Sequence, residues 1–260
     1  MPSRTSHTDL PPDDTVASLV AAAARLRDAV ASLAFAAPVT HVYNPLDYAW
    51  NGQHEYLSRF GRGRKRVMFL GMNPGPFGMM QTGVPFGEVA AVRDWMGIEA
   101  QIHPPAQQHP KRPIEGFACP RSEVSGRRLW SWAALRHGSA DDFFKRHFVL
   151  NYCPLVFLEA SCRNRTPEQL PAEELRPLYA ACDEHLARAV EALEPEWLIG
   201  IGGFAEKRLQ RLVAGNWLDS ALARRLRIGQ ILHPSPASPA ANRGWIEAVD
   251  LRLRSYGLLP

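Results

Sequence analysis

Lysine is almost missing from this chain: of 30 basic residues only Lys65, Lys111, Lys145 and Lys207 are lysines, which leaves 26 arginines. Arginine suits bidentate phosphate contact better than lysine does. A GC-rich genome favours Arg and Ala codons equally well, so the bias assigns no function alone. Cysteine is scarce too. Cys119, Cys153, Cys162 and Cys182 have no C-x-x-C spacing, which argues against a zinc or iron–sulfur site and for reduced, buried thiols. No apolar run is long enough for a membrane span, because Arg25, Arg27 and Asp28 interrupt the longest candidate. The opening MPSRTSHTDLPPDD has no apolar h-region, so a secretory leader is not expected and the chain reads as soluble and intracellular. Internal repeats and low-complexity tracts are missing as well.

What remains is ordinary globular usage: 260 residues, 46% hydrophobic and 22% charged, with a formal net charge of +4. That length fits one large α/β unit, and the mild positive charge fits a polyanion partner without requiring one. Residues 1–12 read as a flexible tail and 13–260 as a single domain, with Asp13 or Asp14 as the first helix cap. Leu19, Ala23, Leu26, Val30 and Leu33 then form an apolar stripe at helical spacing. Four short apolar runs, at 67–71, 148–151, 197–201 and 228–232, lack polar alternation, as strands of a parallel sheet covered on both faces do. Helical patterns at 88–96, 123–136, 174–193 and 204–213, and around Trp245, Val249 and Leu253, separate or follow them. The alternation predicts an α/β fold in three layers around a four-stranded parallel sheet. Residues 101–121, with five prolines, read as a long loop.

Three strand exits carry the candidate chemistry. The first run leads into GMNPGPFGM at 71–79, where three glycines and two prolines force an irregular loop open to close approach. The second leads into Asn151-Tyr152-Cys153-Pro154, and the fourth into His233-Pro234-Ser235-Pro236-Ala237. Ligands of open α/β sheets bind outside the carboxyl ends of the strands, so Asn73, Asn151 and His233 should converge there. The glycine loop has neither G-x-G-x-x-G nor a P-loop lysine, and nucleotide binding is therefore a weak reading.

Four blocks, GMNPGPFGMMQTGVPFGEV, KRPIEGFACPRSEVSGRRLW, NYCPLVFL and HPSPASPAANRGW, together with YNPLDYAW, resemble the single-strand-selective monofunctional uracil-DNA glycosylases of the uracil-DNA glycosylase superfamily over residues 42–256. The resemblance implies that superfamily's fold and excision of uracil, and of 5-substituted uracils such as 5-hydroxymethyluracil, from single- and double-stranded DNA by base flipping, with no metal or organic cofactor. It implies that Asn73 positions the attacking water and His233 stabilises the departing uracil anion. Phe86 would stack on the base and Asn151 read its edge, with Met72, Gly75, Phe77 and Met79 lining the pocket and Gly75 leaving room beside C5. DNA contact would come from Arg163 and Arg165, and from a wedge loop with Ser235, Pro236, Ala237 and Arg243. Ala237 stands where vertebrate members carry an arginine, so the plug is shortened or supplied by Arg243. A monomer without membrane association is expected, in the bacterial cytoplasm with the nucleoid, or in the nucleus of a eukaryote. A catalytically silent binder of damaged DNA, or a glycosylase for another deaminated base, would retain the same fold and basic loops.

Overall fold

In the computed structural model, which describes residues 14–260, the four apolar runs form one parallel sheet. In chain order the strands are β1 (Val39–Tyr43), β2 (Val67–Gly71), β3 (His147–Asn151), β4 (Val156–Glu159), β5 (Asn164–Arg165), β6 (Trp197–Ile201) and β7 (Arg227–Ile231). The parallel sheet has the order β3-β2-β6-β7. All residues of β2 and β3 are buried, as the absence of polar alternation predicts for strands covered on both sides. The register sets Gly71 beside Asn151 and Ile201 beside Ile231. Motif-bearing exits therefore leave the sheet at one level, because equal-length parallel strands end together.

The helices that matter here are α1 (Asp14–Ala31), α2 (Trp50–Phe60), α3 (Val124–His137), α4 (Ala172–Leu193), α5 (Gly203–Ala214), α6 (Pro239–Asn242) and α7 (Trp245–Ser255). The stripe of α1 is buried at Leu19, Ala22, Ala23, Leu26 and Val30, and α1 packs on α4. Leu33, two residues past the helix, packs on the same core from the following turn. An aromatic cluster of Tyr56, Phe60, Phe144 and Phe148 fixes the start of β3, and the Tyr56 hydroxyl donates to the Val149 carbonyl at 2.9 Å.

Several elements differ from the sequence reading. The tail assigned to residues 1–12 and the cap at Asp13 lie outside the described residues. The short helix expected at 88–96 runs over 89–95, capped by the Glu88 carboxylate on the Ala91 N–H, and its last turn, Ala91–Trp95, is widened, with the Met96 N–H donating to the Ala91 carbonyl five residues back. A second sheet, β1-β4-β5, is antiparallel and escaped the pattern search: β5 has two residues and β1 is interrupted by a register shift between Val39 and His41. The proline-rich loop 101–121 is tied down in its second half. Gln81, 1% exposed, donates to the Pro76 and Pro113 carbonyls and accepts from the Glu115 and Gly116 N–H groups.

Candidate active site

Beyond the strand ends the ladder continues for two bonds. The Tyr152 N–H donates to the Gly71 carbonyl at 3.0 Å and the Cys153 N–H to the Met72 carbonyl at 2.8 Å, which locks the first two exits together. Asn73 then donates from Nδ2 to the Leu155 carbonyl at 3.3 Å. Its Oδ1 accepts nothing among the described residues, so the amide is anchored by one end and offers an acceptor with the other.

Asn151 is 7% exposed, and its Oδ1 is fully buried without a hydrogen-bond partner. Its Nδ2 donates only to the Met79 thioether, at 3.3 Å, a weak acceptor. An orphaned buried acceptor costs about 1–3 kcal/mol, and a ligand donor or a bound water entering here would satisfy it. Gly71 explains how the amide fits: a Cβ there would lie 2.4 Å from Asn151 Oδ1 and 2.4 Å from Phe86 Cε2. The Phe86 ring and the Asn151 amide thus frame one space.

Phe86 has φ of +53°, the left-handed region that a bulky side chain enters only under compulsion. Helix α3 supplies it. The Trp130 indole donates to the Phe86 carbonyl at 2.9 Å, and Gly126 passes so near that a Cβ would sit 2.1 Å from that oxygen. His233 lies across the site, its ring centroid 6.4 Å from that of Phe86. The Ser235 N–H donates to His233 Nδ1 at 3.1 Å, so Nδ1 is an acceptor and the ring proton of neutral histidine sits on Nε2. Burial holds the imidazole below the ordinary histidine pKa, which keeps that neutral donor form.

The remaining predicted residues divide. Met79 touches Asn151, whereas Met72 contributes its backbone carbonyl to the ladder. Gly75 faces Glu123: a Cβ would lie 2.4 Å from its carboxylate oxygen, so the room left by the glycine holds this side chain. The same carboxyl accepts from the Phe77 N–H at 3.2 Å, and burial pushes its pKa up. The Phe77 ring lies under the guanidinium carbons of Arg112, at 5.1 Å, and Arg121, at 4.5 Å. On the wedge loop Pro236, Ala237 and Arg243 are exposed and Ser235 is half-buried, with its hydroxyl accepting from the Ala237 N–H at 3.1 Å. Arg163 is exposed, but Arg165 is committed to the Glu159 carboxylate at 2.7 Å and the Gln169 carbonyl at 2.7 Å. Glu123, Gly126, Arg128 and Trp130 were not read from the sequence as site residues, though their helix was. All four cluster at its first two turns, and only the KRPIEGFACPRSEVSGRRLW block pointed at them.

The parallel sheet thus brings these three exits, with one histidine and two asparagines, to its carboxyl edge. The family profile described as the Uracil DNA glycosylase superfamily matches residues 58–249, and the chain belongs to that superfamily. Within it, the chain is 48% identical over 236 residues to the single-strand selective monofunctional uracil-DNA glycosylase of Rattus norvegicus, covering 91% of this chain and 83% of the relative. The Bos taurus protein of the same description is 47% identical over 91% of this chain and 85% of its own length. A solved structure, wild-type SMUG2 of Pedobacter heparinus, aligns with a TM-score of 0.62 at 17% identity over 91% of this chain and 97% of that one, and supports the fold alone. Among the described residues no helix is long and apolar enough to cross a membrane, and the four cysteines form no disulfide.

Proposed function

We propose that this protein hydrolyses the N-glycosidic bond of uracil, and of 5-substituted uracils such as 5-hydroxymethyluracil, in single- and double-stranded DNA. The buried, unpartnered Oδ1 of Asn151 beside the strained Phe86 carries the reading. A base still stacked in a duplex cannot reach a buried amide, so the nucleotide is flipped out of the strand. Asn151 Oδ1 accepts from uracil N3–H and its Nδ2 leaves the weak Met79 sulfur for O4. Cytosine offers an acceptor at N3 and a donor at N4, and is refused. Phe86 stacks on the ring.

Breaking the bond leaves positive character on the sugar and sends the electron pair to uracil N1, with charge delocalised onto O2. The His233 Nε2–H donates to O2 as that charge develops, which is stabilisation by a preset neutral dipole and requires no proton transfer. Water adds to C1′ from the position that Asn73 Oδ1 holds. An amide cannot take the water's proton at neutral pH, so Asn73 orients the nucleophile and the proton passes to solvent. Arg163 and Arg243, exposed and with no ion-pair partner among the described residues, suit phosphate contact; Arg165, spent on Glu159, suits it less. The test is a panel of oligonucleotides, single- and double-stranded, each with one uracil, 5-hydroxymethyluracil, cytosine or hypoxanthine, treated with alkali to cleave abasic products. Cleavage at uracil and not at cytosine is expected. Binding without cleavage would leave a silent damage binder, and cleavage only at hypoxanthine a retuned glycosylase.

A further inference from the structure

The arm that carries His233 closes on itself through short local bonds, from the Ser235 N–H to His233 Nδ1, the Ala237 N–H to Ser235 Oγ and the Ser238 N–H to the Ser235 carbonyl, while Pro234, Pro236 and Pro239 have no N–H to give. A tie from α3 fixes it against the rest of the site. Arg128, on the second turn of α3, donates from one guanidinium nitrogen to the carbonyls of Pro234, at 3.0 Å, and Ser235, at 3.3 Å. Its other terminal nitrogen donates to Asn242 Oδ1 at 2.8 Å, and Asn242 Nδ2 donates in turn to the Pro236 carbonyl at 2.8 Å. One planar fork thus bridges the two ends of the arm, and Arg128 has no ion-pair partner among the described residues. Ser235 is the residue whose N–H fixes His233 Nδ1. The chain of contacts runs from α3 through two carbonyls to the imidazole. The same helix end holds Phe86 through Trp130 and Gly126, and Phe77 through Glu123. Both sides of the site are therefore referenced to one rigid element.

On the reading of the site given above, we propose that Arg128 is a positioning residue for catalysis: by clamping the carbonyls of Pro234 and Ser235 it sets the place and orientation of the His233 ring relative to the flipped base. The guanidinium itself touches no reacting atom. Misplacing a catalytic group by 1 Å costs as much as about 10²-fold in rate, and an unclamped proline-rich arm allows such a shift. Lysine in this position reaches one carbonyl and cannot span to Asn242.

The experiment is a double-mutant cycle on single-stranded uracil DNA, where the wedge contributes least, read as the single-turnover rate at saturating DNA. Arg128→Ala should lower the rate about 10- to 100-fold with affinity for the strand and its salt dependence unchanged, and Arg128→Lys should restore part of the loss. His233→Ala should cost about 10²- to 10³-fold, and adding Arg128→Ala to it should cost less than about twofold more, because the effect runs through the missing ring. The same fold-loss in both backgrounds would overturn the proposal. So would a loss confined to affinity with a shallower salt dependence, which is the signature of a phosphate contact. A His233→Ala protein as fast as the parent would overturn the reading of the site itself and this proposal with it. Should Arg128→Ala fail to fold, Asn242→Ala removes the other end of the bridge, with an expected loss of about threefold that must vanish in the His233→Ala background.

Discussion

Around Asn151 every framing group is buried: Met79 and Phe86 expose 3% and 9%, Phe86 is held from α3 through Trp130, and Gly71 at the strand end leaves no space for even a methyl group. Across the same cleft, Pro236, Ala237 and Arg243 stand in solvent on an arm held by local turn bonds and clamped from α3. The first region is an extension of the core, and its geometry is settled on folding. The second is a surface device whose shape depends on a few polar contacts. On the proposed function, base reading sits where displacement is most costly, and engagement of the strand sits where adjustment is tolerated.

The comparison breaks most visibly at the reacting groups. Asn73→Ala should cut the single-turnover rate about 10²- to 10³-fold, on the scale of one oriented donor or acceptor, with DNA affinity near that of the parent, because no phosphate contact is lost. Parallel losses of rate and affinity would remove Asn73 from its role. Acid should next separate core from arm. Burial holds His147 and His185 at about 4, against an ordinary histidine value of 6.5. Between those values the unfolded chain binds more protons than the folded one, so stability is full above pH 6.5 and falls as pH drops through the window, by up to about 3 kcal/mol per histidine. Urea unfolding at pH 7.5 and 5 checks this, and His185→Gln should flatten the dependence. A pH-independent midpoint contradicts it.

Gly71→Ala tests how tightly the pocket is built. Its methyl group would meet Asn151 and Phe86, with an expected stability loss of about 1–3 kcal/mol and loss of uracil excision. The same substitution at Gly63, where nothing lies within 4 Å of a Cβ, meets only the cost of its positive φ. A Gly71→Ala protein with unchanged midpoint and rate would mean that the pocket yields. Smallest is the arm. Ala237→Arg lengthens the exposed plug and should raise excision of paired uracil a few-fold relative to single-stranded uracil, since only the duplex demands unstacking and unpairing. An equal change on both substrates at one salt concentration would reduce the arm to general charge.

The strands that carry the site were legible because each is an unbroken apolar run ending in an irregular loop. Their order was not, since nothing local distinguishes β3-β2-β6-β7 from another arrangement. The second sheet was invisible for a different reason: β5 is too short for periodicity, and β1 pairs across a bulge. Asn73, Asn151 and His233 stood out as polar residues at strand exits. Arg128, Trp130 and Glu123 did not, because they act on backbone groups, the carbonyls of Pro234 and Phe86 and the N–H of Phe77, which leave no trace in side-chain spacing. Arg165 looked like a free cation in a basic loop, and its pairing with Glu159 depends on a two-residue strand bringing them together.

The claim that everything else depends on is that Asn151 reads the edge of the base, and Asn151→Asp tests it with an isosteric change. An ionised carboxylate only accepts hydrogen bonds, so it repels uracil O4 and suits the cytosine amino group. Single-turnover excision of uracil and of cytosine from the same single strand, by parent and variant, gives the ratio directly. A ratio that falls by an order of magnitude or more, about 1.4 kcal/mol of lost discrimination, is the predicted result. A variant that keeps the parent's ratio would contradict the account, since the buried amide would then have no part in choosing the base.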